Sequence, residues 1–174
     1  MSTTMVASEV KAVPPVISSI QDIPLEKIRE STTNPRTQFA QSKLAELAEN
    51  IRQHGVLQPI LVRPLPKGAA DTYELVAGAR RYRASKLAGR ESIPATVREL
   101  TDAQALELQV IENVQRVDVH PLDEAQGYAA LIKVQPDTYT LETIASRVGR
   151  SPQSVSGRLR LIQLIPKRSR PSMN

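Results

Sequence analysis

The sequence predicts an α+β chain in two parts, a small α/β domain followed by an all-helical unit. Up to about residue 113, short apolar runs that suit buried strands alternate with segments of helical period, as strand–helix units sharing one sheet do. From Pro121 onward, apolar residues recur only at helical spacing. The change of pattern sets a boundary near residues 117–120. It divides the chain into a flexible arm (1–19), a first domain (20–117), a second domain (118–166) and a polar tail (167–174).

The arm is rich in Ser, Thr, Val and Pro and shows no sustained period. Residues 20–28 read as a short strand and turn. Asn34-Pro35-Arg36 marks a loop, because the residue before a proline is pushed out of the helical region. Leu44, Leu47, Ala48 and Ile51 then fall on one helix face, with Ser42 as the expected cap and Gly55 as the stop. Ile60-Leu61-Val62 is a buried strand between Pro59 and Pro64, and residues 64–71, with Gly68, form a surface turn. A second buried strand is Tyr73-Glu74-Leu75-Val76-Ala77; a helix follows it to Gly89, and residues 93–98 supply a further strand. Thr101 and Gln104 have capping-box spacing, so a helix starts there and runs to about Asn113. In the second part, Ala125, Tyr128, Ala129 and Ile132 make one stripe, and Leu141, Ile144, Ala145 and Val148 make another that ends at Gly149. Ser151 caps a last helix with Pro152 at its first position.

Composition narrows the function. Of 174 residues 40% are hydrophobic, but only 3% are aromatic and none is Trp, so the cores are aliphatic. Lys and Arg number 23 against 18 Asp and Glu, a net +5 that suits a polyanionic partner and also an ordinary soluble surface. With no cysteine, disulfides, thiol nucleophiles and thiolate metal sites are excluded. His54 and His120 are too far apart in sequence to suggest a metal site. No apolar run reaches the ~20 residues of a membrane span, and the N-terminus lacks a signal pattern, so a cytoplasmic protein is expected.

Two segments carry chemistry. Gly78-Ala79-Arg80-Arg81-Tyr82-Arg83-Ala84 lies at a strand-to-helix turn. A glycine there admits close approach of an anion to backbone N–H groups, and the helix N-terminus adds partial positive charge. Arginines in a first turn oppose the helix dipole unless something negative sits there. The segment reads as a phosphate-handling site, with a solvated basic helix as the alternative. The second segment, residues 141–164, has helix–turn–helix spacing with a short glycine turn. On its second helix Val155, Leu159 and Ile162 face the preceding helix, while Gln153, Ser156, Gly157 and Arg160 face away. Gln and Arg pair with base edges, Ser151 and Ser154 add hydroxyls at the helix start, and Arg147, Arg150 and Arg158 suit backbone phosphates. A plain helical hairpin fits the same residues, but the absence of acidic residues from Gly149 onward favours DNA.

Three blocks, in order, resemble the ParB-type DNA-partition family: Gly55-Val56-Leu57-Gln58-Pro59-Ile60-Leu61-Val62-Arg63, the arginine segment from Gly78, and Glu112-Asn113-Val114-Gln115-Arg116 with Asp118, Pro121, Glu124 and Ala125. Asn34-Pro35-Arg36 and Arg158-Leu159-Arg160-Leu161 also look like family positions, so the likeness spans about residues 20–166. The resemblance implies a sulfiredoxin-like N-terminal fold that binds CTP, a helix-turn-helix that reads a palindromic centromere-like site, clamp closure of two subunits through the N-terminal half, and a Walker-type ATPase partner. By position it implies that Gln58, Pro59 and Ile60 line the cytosine side and that Gly78, Arg80 and Arg81 hold the triphosphate. Glu112, Asn113 and Arg116 would meet phosphates and a metal, with Glu112 and Asn113 as ligands to Mg²⁺.

Two departures qualify the expectation. The family's arginine segment usually has Glu where this chain has Ala79, which puts CTP hydrolysis in doubt while leaving arginine–phosphate contacts intact. The chain also stops after a polar tail where relatives continue to a C-terminal dimerisation domain, so a truncated copy or short relative is expected. Two alternatives stay open: a plasmid repressor with no working nucleotide switch, and a nuclease or kinase on the same fold drawing carboxylates from Glu112, Asp118 and Asp123. Sulfiredoxin chemistry itself needs the cysteine that is missing.

Overall fold

The computed structural model describes residues 20–31, 41–65, 72–116 and 119–164. The expected arm, the Asn34-Pro35-Arg36 loop, most of the Gly68 turn, Val117 and Asp118 at the expected boundary, and the tail lie outside them.

Five strands form one mixed sheet: β1 (Ile20–Pro24), β2 (Ile28–Glu30), β3 (Ile60–Pro64), β4 (Tyr73–Ala77) and β5 (Ser92–Val97), in the order β1-β5-β3-β4-β2. β1 runs antiparallel to β5 and β3 antiparallel to β4; β3 and β5 are parallel, as are β2 and β4. A short 3-10 turn, Leu25–Lys27, joins β1 to β2, which the sequence pattern had merged into one element. The central strands bury Ile60, Val62, Leu75, Ile93 and Ala95 in an aliphatic core closed by Tyr82. The Tyr82 hydroxyl donates to the Ile28 carbonyl at 2.8 Å, and Arg83 holds Glu30, so the edge strand β2 is pinned by the helix that follows β4.

That helix is α2 (Ala79–Leu87), and α1 (Gln41–His54) packs on it through Ala48, Ile51 and Ala84. Ser42, the expected cap of α1, is its second residue, since the helix begins at Gln41; a first-turn serine is tolerated because no intrahelical acceptor awaits N–H groups there. Gly55 does end the helix, at φ +75° with its N–H on the Ile51 carbonyl.

The second core is all helical: α3 (Asp102–Val114), α4 (Pro121–Val134), α5 (Leu141–Val148) and α6 (Pro152–Leu164). Ala103, Leu106, Val110 and Val114 of α3 join Tyr128, Leu131, Tyr139, Ile144 and Val155 in one cluster. The apolar face of α3 therefore packs into the helical core, although the sequence pattern changes after this helix. The Thr101–Gln104 capping box is formed at the start of α3, and Arg63 of β3 reaches Glu74 at 2.5 Å and Asp102 at 2.6 Å, fixing α3 to the sheet. The buried stripe of α4 is Glu124, Ala125, Tyr128 and Leu131; the expected Ala129 and Ile132 are half-buried, because α4 is clasped between α3 and α6 and its buried face is turned accordingly. α6 packs chiefly on α4 and secondarily on α5, a correction to the expected dominance of the preceding helix.

Candidate nucleotide and DNA sites

At the arginine turn the backbone and packing act together. β4 ends at Ala77, Gly78 adopts φ +97°, and α2 starts at Ala79 with no acidic residue in its first turn. The glycine has a cause within the chain: a Cβ there would lie 2.8 Å from Cγ2 of Ile60. Ile60 itself is only 1% exposed and fills the core beneath the turn.

The next arginine pair divides the work. Arg80 is exposed. Arg81 is half-buried and donates to the carbonyls of Gln58 and Pro59 at 2.7 and 2.6 Å, tying α2 to the loop after α1. Burial lowers the Arg81 guanidinium, and only the charge of Glu112, from the last turn of α3, pushes it back. Burial likewise raises the Glu112 carboxyl against the pull of Arg81, although part of the side chain stays open to water. A cleft of about 260 Å³ opens beside this point, lined by Leu47, Asn50, Ile51, Gly55, Val56, Leu57, Gln58 and Arg81.

The structure thus brings together Gln58, Pro59, Gly78, Arg80, Arg81 and Glu112. Asn113 and Arg116 follow on the same helix end, and among the described residues neither side chain hydrogen-bonds to the arginine turn. Leu47 and Asn50 line the cleft without having been marked by sequence, because helix-face residues carry no chemical signature. An incompletely neutralised, half-buried guanidinium, an exposed second one and a helix N-terminus free of acid suit an anion of high charge. The donor set for a metal is thinner. Among the described residues no three His, Cys, Asp or Glu side chains lie together, so a hard cation here would have Glu112 and take its other ligands from phosphate and water.

The second site is the α5–α6 corner. Thr140 caps α5, Gly149 turns the chain at φ +69°, and Ser151 accepts from the Ser154 N–H at 3.2 Å, so its hydroxyl serves as the α6 cap. Val155 is fully buried and Leu159 partly, which orients the opposite face of α6 outward. There Leu141, Pro152, Gln153, Ser156, Gly157 and Arg160 line a groove of about 370 Å³. An amide, a hydroxyl and a guanidinium around an open floor are the groups that bond base edges and phosphates. Ser154 is exposed beside them.

The arginines expected on phosphates each lie near a carboxylate of this chain. Arg147 pairs with Glu107 of α3, and Arg158 donates to the nearly buried Glu124 of α4 at 2.9 Å; Arg150 lies 3.8 Å from the same carboxylate. Each has a low-exposure carboxylate within reach while its own side chain stays 39–48% exposed, and for Arg147 and Arg158 the pairing spans 40 and 34 residues, which no local spacing announces. The one available hint is Glu124 itself, an acid lying on the apolar stripe of its helix.

Comparison with known proteins agrees with both halves. The ParB N-terminal domain model matches residues 10–114 and the ParB HTH domain model residues 117–170. The chain is 49% identical over 145 residues to the chromosome-partitioning protein Spo0J of Thermus thermophilus, covering 83% of this chain and 51% of that protein. It resembles the C-terminally truncated Caulobacter crescentus ParB complexed to the centromeric parS site (39% identity, TM-score 0.64, 84% of this chain and 73% of that one). It also resembles the same protein complexed with CTP-gamma-S (41% identity, TM-score 0.53, 86% and 81%). The chain spans about half the length of the curated relatives it matches. Adjoining family models that run from the sheet through the last described helix, with identity sustained across both, place this chain in the ParB family.

Proposed function

We propose that this chain is a sequence-reading DNA-binding protein of chromosome or plasmid partition, with CTP bound at the arginine turn as its switch. The observation that carries this is the pairing, within one chain, of the α6 groove with a cleft walled by Gln58 and Arg81, whose guanidinium feels the charge of Glu112. The two Caulobacter complexes, one with parS and one with CTP-gamma-S, support it because each aligns with more than four fifths of this chain. In our reading Gln153, Ser156 and Arg160 meet the duplex at the floor left open by Gly157. Gly78, Arg80 and Arg81 hold the triphosphate, with Gln58 and Pro59 beside the base. Glu112, with Asn113, would share a Mg²⁺ with the phosphates, and Arg116 would close that end.

A homodimer through the N-terminal half and a Walker-type ATPase partner belong to the same proposal, as does a cytoplasmic, nucleoid-associated location. No helix of the described residues is long and apolar enough to cross a membrane. With alanine at position 79 the first turn of α2 carries no carboxylate, so the expected measurement is saturable CTP binding with little phosphate release.

The test is a bind-and-sequence selection on random duplexes, with and without CTP. A palindromic consensus, lost in Arg160→Ala, supports the reading helix. Arg80→Ala should abolish CTP binding and spare binding to the selected duplex. Absence of any consensus, or joint loss of both activities in Arg80→Ala, refutes the division of labour.

A further inference from the structure

The helix-turn-helix carries four described arginines, and among the described residues three of them lie within 4 Å of a carboxylate. Glu107 of α3, 14% exposed, holds Arg147 and also accepts the Tyr139 hydroxyl at 2.8 Å. The Arg147 guanidinium further lies 5.6 Å from the centre of the Tyr139 ring, which fixes its position from a second side. Glu124 of α4, 6% exposed, holds Arg158 at 2.9 Å, with Arg150 more loosely placed at 3.8 Å. Arg160, on the groove, forms no ion pair among the described residues.

We propose that Glu107 and Glu124 mask Arg147 and Arg158, withholding those two charges from DNA phosphates so that recognition falls to the groove residues and Arg160. The inference rests on the proposed DNA-reading role of α6. Its physical basis is that phosphate neutralisation carries no sequence information and strengthens binding to every duplex alike. Each arginine withheld therefore lowers affinity for the wrong DNA without removing a base contact. The masks are also durable. Pulling Arg158 outward would leave the nearly buried Glu124 with only the looser Arg150, 3.8 Å away, as counter-charge, a loss that is more unfavourable than breaking an exposed pair. Both masking carboxylates sit on helices outside the α5–α6 corner, so the reading unit's charge is set by the helices that pack behind it.

The experiment measures binding of the full chain to a short scrambled duplex and to the selected duplex between about 50 and 200 mM salt, for wild type, Glu107→Gln, Glu124→Gln, Arg147→Gln and Arg158→Gln. Glutamine keeps an acceptor for Tyr139 and for Arg158 while removing the charge. On scrambled DNA the logarithmic salt dependence should steepen by about 0.9 in Glu107→Gln, and by about 0.9–1.8 in Glu124→Gln where Arg150 is released too. The preference for the selected duplex should fall severalfold in both. Arg147→Gln and Arg158→Gln should leave the salt dependence as it is in the wild type. Thermal melting identifies a variant that fails to fold, and Arg147→Gln, which leaves its partner Glu107 still bonded to Tyr139, then decides alone. Unchanged or shallower slopes in the glutamate variants, or a slope reduced by about 0.9 in Arg147→Gln, overturn the proposal. A wild type with no preference for any duplex overturns the DNA reading and the masks together; a wild type with clear preference but unmoved slopes overturns the masks only.

Discussion

Replacing Gly78 by alanine should cost about 2–5 kcal/mol of folding stability, in two separable parts. The first is backbone: at φ +97° a Cβ crowds its own chain, at roughly 1–2 kcal/mol. The second is packing, because the added carbon would stand 2.8 Å from Cγ2 and 3.2 Å from Cβ of Ile60. Ile60 cannot swing away, being fully buried and stiff at its first torsion, so overpacking adds about 1–3 kcal/mol. Against the ~5–15 kcal/mol that holds an ordinary domain together, that sum is large. Urea denaturation of wild type, Gly78→Ala, Ile60→Ala and the double variant separates the parts. Truncating Ile60 removes Cγ2, so the double variant should be less destabilised than the sum of the singles by about 1 kcal/mol or more, while the backbone part persists. Additivity within ~0.3 kcal/mol, or a single Gly78→Ala cost under about 1 kcal/mol, would refute the packing account.

Gly157→Ala should raise stability by about 0.5–1 kcal/mol, since the residue sits mid-helix and an added Cβ meets nothing within 4 Å; the same change should weaken binding to the selected duplex, and unchanged affinity would show that the groove floor does not need to be open. Arg81→Lys should loosen the loop that Gln58 and Pro59 belong to, because a point charge cannot replace the fork on two carbonyls; calorimetry should find at least about a tenfold loss of CTP affinity. Thr101→Ala removes half of the capping box that starts α3, and should lower the urea midpoint by an amount equivalent to about 1 kcal/mol. Burial, with the bond to Glu107, pushes the Tyr139 phenol up to about 12. A phenol that keeps its proton longer in the fold than in the unfolded chain gives stability intact below about pH 10 and falling as pH rises from about 10 to 12, by on the order of 2 kcal/mol. Base titration of Tyr139→Phe should show a correspondingly shallower decline.

Elements bounded by local chemistry were legible. The Thr101–Gln104 box, the Gly149 turn, the Ser151 cap with Pro152 behind it and the Tyr73–Ala77 strand all stand where residue type and spacing put them. The groove face of α6 was legible too, because Val155 and Leu159 fix which side is inward and helical geometry does the rest. What could not be read was set by partners distant in sequence. Whether Arg158 faces a phosphate or Glu124 depends on how α6 crosses α4, and the periodicity of either helix is silent on that crossing. The burial of Ile60 was not legible for a related reason: an apolar residue flanking a loop motif looks the same whether it lines a cleft or floors it.

The position of α3 shows why a boundary read from pattern and a boundary read from packing need not coincide. Its sequence ends the strand–helix alternation, and Arg63 fastens its first turn to the sheet through Asp102. Its apolar face, however, belongs to the helical core, and Glu107 reaches across to α5. Glu112 stands five residues on from Glu107, about 7.5 Å along the axis at the usual helical rise, and there it acts on Arg81. A helix transmits displacement along its length because its backbone bonds are internal. Any change that moves the Glu112 end relative to the arginine turn must therefore be absorbed at Arg63, at the Glu107–Arg147 pair or in the packing of Val110 against Gly127, where a Cβ on the glycine would lie 3.1 Å from Val110. That last contact leaves little slack, so the two charged tethers are where the strain would be taken up.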